Sequence, residues 1–142
     1  MQRLTTLVRC IAVAGLLLSA APAGAEQASI SIELNKLEDQ GSQCAAYFVI
    51  TNPTSTNYQE FKLDLVLFRP DGVIGHRFAI DLAPLKANKR TVKLFELADT
   101  ACGEVGTILV NETLGCKSDA ETKVDCLNDT TFSSLTKVPL TK

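Results

Sequence analysis

The sequence predicts an all-β protein, an immunoglobulin-like β-sandwich of about seven or eight antiparallel strands stapled by disulfides. Three observations carry this expectation. Short strand-forming runs recur at spacings of roughly 8–12 residues, with turn residues between them. No stretch shows the 3.6-residue periodicity of a long helix. Four cysteines, an even number, follow an export leader.

The leader comes first. Arg3 and Arg9 give a positive n-region, residues 11–18 form a short apolar run, and Ala23-Gly24-Ala25 supplies the small residues of a cleavage site before Glu26. Residues 1–25 are therefore expected to be a cleaved Sec-type signal peptide, and residues 26–142 a single periplasmic domain. The apolar run falls short of the ~20 residues that span a bilayer, so no membrane insertion is expected after cleavage. The residue immediately after the cleavage site is Glu26 and not a cysteine, which disfavours a lipid anchor there. The two arginines are not adjacent, which disfavours twin-arginine export. They are also the leader's only charges, so the mature chain carries 12 basic and 16 acidic residues, a net of −4. That balance argues against nucleic acid or anionic lipid as a partner.

The strands follow in order. Residues 29–34 (SISIEL) alternate apolar Ile30, Ile32 and Leu34 with polar Ser29, Ser31 and Glu33, so the strand has one wet face. Residues 40–43 form a turn. Residues 44–51 (CAAYFVIT) are apolar on both faces, as a central strand is, and Asn52-Pro53-Thr54-Ser55 breaks them. Phe61, Leu63, Leu65 and Leu67 then share one face, with Lys62 and Asp64 on the other. Arg69-Pro70-Asp71-Gly72 is a turn in which Pro sets φ, Asp accepts local hydrogen bonds and Gly permits positive φ. Residues 73–81 run back to complete a hairpin. After a connection at 83–88, residues 90–97 form a strand with Val92 and Leu94 facing opposite to Thr91, Lys93 and Phe95. Lys86, Lys89, Arg90 and Lys93 read as a solvated, lysine-guarded edge. Residues 107–113 are a further strand with Ile108 and Val110 inward. Residues 117–125 are polar and read as a loop, and residues 132–140 as one closing edge strand.

Cys44, Cys102, Cys116 and Cys126 allow three pairings. The favoured set is Cys44–Cys102, a strand-to-loop staple, with Cys116–Cys126 as a local clasp. A metal site is not expected, because there is no C-x₂-C pair and the one histidine, His76, lies far from the cysteines. The absence of Trp and the cysteine placement exclude an antibody-type domain.

The leader, SIELNKLE, Cys44 with AAYFVITNPT, FKLDLVLFRPDGVI, KRTVKLFEL and the Cys102 and Cys126 regions together resemble a family of small exported proteins of alphaproteobacteria. The likeness spans nearly the whole mature chain. It implies a periplasmic immunoglobulin-like sandwich and brings no catalytic residues with it.

Candidate chemistry is sparse. His76, with Asp71 or Asp81 as an orienting group, could serve as a general base, but Gly75-His76-Arg77 reads as a solvent-facing strand segment. Ser133 and Ser134 lack a nucleophile-elbow context. The carboxylates Glu33, Glu38 and Asp39, and Asp119, Glu121 and Asp125, lack the ligand pattern of a calcium loop and read as solvated charge. The sequons at Asn111 and Asn128 read as chance matches. No enzyme activity, cofactor or metal is expected. The apolar hairpin residues Val66, Phe68, Val73 and Ile74 are instead the candidate partner-binding set, because edge strands recruit partners by strand addition. The expected role is a non-enzymatic interaction or accessory module of an envelope protein assembly. A periplasmic small-ligand carrier is the alternative.

Overall fold

A computed structural model describes residues 29–120 and 125–142. The leader expected over residues 1–25 lies outside the described residues, as does Glu121. Among the described residues, eight strands build two four-stranded sheets: β1 (Ile30–Gln40), β2 (Gln43–Asn52), β3 (Tyr58–Phe68), β4 (Ile74–Asp81), β5 (Lys89–Leu97), β6 (Thr107–Ser118), β7 (Thr130–Ser134) and β8 (Leu140–Thr141). One sheet runs β5-β2-β1-β7, the other β4-β3-β6-β8. The chain is a disulfide-stapled all-β sandwich.

The core follows from the period-two pattern. Ile30, Ile32 and Leu34 of β1 and Cys44, Ala46, Phe48 and Ile50 of β2 face Phe61, Leu63, Leu65 and Leu67 of β3 and Ile108 and Val110 of β6, all buried. β2 sits between β1 and β5, which is why Ala45 and Val49 on its outer face are also buried. The expected turn forms as its chemistry dictates. Gly72 takes φ 82°, its N–H donates to the Arg69 carbonyl at 2.8 Å, and the Val73 N–H donates to Asp71 Oδ1 at 3.0 Å. Gly106 supports the same turn from outside. A Cβ there would lie 2.6 Å from the Arg69 carbonyl carbon and oxygen, so only glycine admits the close approach.

Two expectations need correction. Not every pairing is antiparallel: β1 with β7 and β6 with β8 are parallel. Antiparallel neighbours can be joined by hairpins, but β1 and β7 stand near opposite ends of the strand order in sequence and β7 intervenes between β6 and β8, so neither parallel pair joins consecutive strands. Residues 132–140 are also not one strand. The Ser134 hydroxyl donates to the Val138 carbonyl at 2.7 Å and accepts from the Thr136 N–H at 3.1 Å. These side-chain bonds turn the chain between sheets, so β7 closes one and β8 the other.

β6 runs to Ser118, five residues past the expected end, and carries irregularities that hide its alternation. Its pairing with β3 skips Asn111 and Leu114. Both favoured disulfides form. Cys44–Cys102 has its Cα atoms 4.8 Å apart and Cys116–Cys126 6.2 Å apart. No helix among the described residues is long and apolar enough to cross a membrane. The disulfides fit an exported, oxidising location.

Candidate functional site

β4 and β5 are edge strands of opposite sheets, and a cleft of about 340 Å³ runs between them. Leu67, Phe78, Ile80, Phe95 and Leu97 make its apolar wall, and His76, Glu96 and Asp99 stand at its rim. Phe95 is held by an edge-to-face contact with Phe48, ring centroids 5.9 Å apart. A second cleft of about 180 Å³ continues past Leu67, His76 and Thr100 to Phe68, Arg69 and Ile74. The Cys44–Cys102 disulfide pins the loop after β5, which contributes Ala98, Asp99 and Thr100 to the cleft. Covalent stapling and cleft shape are therefore linked.

The hairpin tip presents its apolar side chains unequally. Val73 and Ile74 are 51% and 61% exposed, Phe68 is half-buried, and Val66 is only 8% exposed between its cross-strand partners Arg77 and Leu109. Of the four residues singled out in the sequence, Val73 and Ile74 are open to a partner, Phe68 supports them, and Val66 is packing.

A polar cluster occupies the outer face of β3, β4 and β6. Asp64 is 4% exposed, unusual for a carboxylate on an outer sheet face. Arg77 Nε donates to both of its oxygens at 2.7 and 2.9 Å, and Asn111 Nδ2 donates at 2.8 Å. The remaining arm of Arg77 reaches Glu112 at 3.0 Å. The β6 irregularity makes this possible, because the extra residue places both Asn111 and Glu112 within reach of the same partners. The Arg77 hydrogen bonds, helped by Asn111, hold the Asp64 carboxyl below its ordinary range against the opposing effect of burial. A depressed folded pKa gives stability that is full above the unfolded value of about 3.9 and is lost as pH falls through the folded one. We predict that Asp64→Asn costs about 1–2 kcal/mol at pH 7, a modest figure because Arg77 is more than half exposed. The deficit shrinks as the pH is taken below about 3.9 in urea unfolding. An acid-independent deficit would contradict the assignment.

The other sequence candidates are not drawn together. His76 is exposed at the cleft rim. Asp71 serves the turn through Val73, and Asp81 Oδ1 accepts from the Ala83 N–H at 3.0 Å. Ser134 is spent on its turn. Glu38 is tied to Lys36 at 2.9 Å and to the Tyr47 hydroxyl at 2.7 Å. Asp119 holds Asn57, at 2.9 Å through the backbone and 2.6 Å through the side chain. Among the described residues, no three metal-ligating side chains gather. Asn111 is committed to Asp64, away from any glycan role.

The sequence signal for the Asp64 cluster is one acidic residue set within the apolar run Leu63–Phe68 of β3. The cleft had no local signal, since its two walls are contributed by strands that do not pair.

No family model matches the chain, and no curated protein matches it. Among solved structures, the fold is similar to that of IrmA from Escherichia coli, with a TM-score of 0.52 and 16% sequence identity over 77% of this chain and 92% of that one. At that identity the likeness is one of fold.

Proposed function

We propose that the protein is a non-enzymatic interaction module of the periplasm, exported by a Sec-type leader, that takes up an extended segment of an envelope protein along β4. The immunoglobulin-like reading of the sandwich belongs with this proposal. The observation that carries it is the juxtaposition of an unpaired strand edge, exposed Val73 and Ile74, and an apolar cleft alongside. An added strand would satisfy the outward backbone groups of β4, while alternate side chains enter the cleft and supply selectivity. Two disulfides support a role outside the reducing cytosol.

Val73→Asp combined with Ile74→Asp is the test. Both residues are exposed, so the variant is expected to unfold within about 1 kcal/mol of wild type. Its capture of the partner from envelope extracts is expected to fall at least about tenfold. Undiminished capture would sink the reading.

The 340 Å³ cleft favours a second reading, a small-ligand carrier, since it lies at the lower end of the range of ligand pockets. A thermal shift on adding a hydrophobic or sugar ligand, without any protein partner, would favour it.

A further inference from the structure

The outer edge of β5 carries a different pattern from that of β4. Along Lys89–Leu97 the side chains of Lys93 and Phe95 turn inward, while Arg90, Val92, Leu94 and Glu96 stand on the outer face. Val92 and Leu94 are 61% and 47% exposed, and their neighbours across β2 are Val49 and Tyr47. Arg90 and Glu96 are exposed and take part in no ion pair among the described residues. An edge with apolar residues at its centre and opposite charges at its two ends is not simply guarded against pairing.

We propose that β5 is a self-complementary edge on which a second copy of this chain docks. The two β5 strands pair antiparallel about a two-fold axis at Lys93, joining two β5-β2-β1-β7 sheets into one. Directly opposite residues in an antiparallel pair share a face. Centring on Lys93 therefore sets Val92 against Leu94 and Arg90 against Glu96, each pair occurring twice, as an isologous interface requires. The apolar row becomes continuous across the junction: Val49 and Val92 of one copy, then Leu94 and Tyr47 of the other.

Charge selects this register. Moving the axis to Val92 puts Arg90 opposite Leu94 and Glu96 opposite Asn88. Moving it to Leu94 puts Arg90 opposite Ala98 and Glu96 opposite Val92. Either shift loses both ion pairs. The lysine at the axis is already engaged within its own chain, where Lys93 Nζ donates to the Ala83 carbonyl at 3.0 Å. This proposal is independent of the β4 reading, since it uses another strand and another partner.

Sedimentation equilibrium of the purified protein from about 1 to 200 μM tests it. The expected result is twice the monomer mass at the upper concentrations. Arg90→Glu alone and Glu96→Arg alone each weaken association at least about tenfold by placing like charges opposite one another, and the two together restore it to within about threefold of wild type. Circular dichroism of each variant checks that this exposed face was altered without unfolding. As a second probe, Val92→Thr with Leu94→Thr keeps strand propensity, removes the apolar row and also weakens the dimer. A monomer throughout the range, a dimer indifferent to either single reversal, or a double reversal that fails to restore association would each overturn the proposal.

Discussion

Replacing Cys44 and Cys102 together with serine is expected to lower the unfolding free energy by about 4 kcal/mol. The bond spans a sequence separation of 58, and loop-closure entropy for a loop of that length corresponds to about 4 kcal/mol. The Cys116–Cys126 clasp spans only 10 and is expected to contribute about 3 kcal/mol by the same relation. The ranking is reinforced by position. Cys44 is fully buried on β2 opposite Leu97, so its loss also leaves a polar hydroxyl in the core. Cys102 anchors the loop that supplies Thr100 to the cleft, so the same variant is expected to lose partner capture beyond what its stability explains. Urea unfolding of the two double-serine variants checks the order. Equal losses, or a larger loss from the shorter loop, would contradict the entropic account.

Phe48→Ala is expected to cost about 3–5 kcal/mol, the range for truncating a buried aromatic side chain. Phe48 is fully buried at the middle of the central strand β2, and its ring supports Phe95 edge-on at 5.9 Å. Its removal opens the core and lets the cleft wall sag at the same point. For a domain whose total stability is roughly 5–15 kcal/mol, that loss brings the protein near its unfolding threshold. The control is Leu135→Ala just after β7, a side chain 68% exposed, which is expected to change stability by no more than about 0.5 kcal/mol. Denaturant midpoints at unchanged slope measure both. A Phe48→Ala variant within 1 kcal/mol of wild type would show that the core repacks freely there.

What was legible in the sequence is what local chemistry determines. Ile30, Ile32 and Leu34, or Phe61 through Leu67, reveal their strands because each has one dry face. Arg69-Pro70-Asp71-Gly72 reveals its turn because Pro, Asp and Gly each meet a separate backbone requirement there. That the four cysteines pair is legible from their even number after an export leader, while the choice among three pairings is only a preference until the strands are placed. The rest depends on contacts distant in sequence. β7 and β8 are short and pair in parallel with strands far away in the chain, which no local alternation can announce. Bulges at Asn111 and Leu114 break the periodicity of β6, so its alternation does not reveal where it ends.

The candidate site divides in the same way. Val73 and Ile74 stood out as apolar residues next to a turn, and they are exposed. Val66 had the same composition and is buried, because exposure on the sheet's outer face is set by the cross-strand neighbours Arg77 and Leu109 rather than by its own strand. The outward placement of Val92 and Leu94 shows the converse. Apolar residues in a strand normally mark the inner face, yet here Phe95 takes the core side and leaves them in solvent.

In the proposed role, β4 is the strand that meets the partner. The most direct test is site-specific photocrosslinking in living cells, with the crosslinking side chain placed in turn at Ile74, at Ala79 and, as a control on the far side of the sandwich, at Ser133. The same envelope protein is expected to be attached from Ile74 and Ala79 and not from Ser133. No adduct from either β4 position, or an identical set of adducts from Ser133, would contradict it.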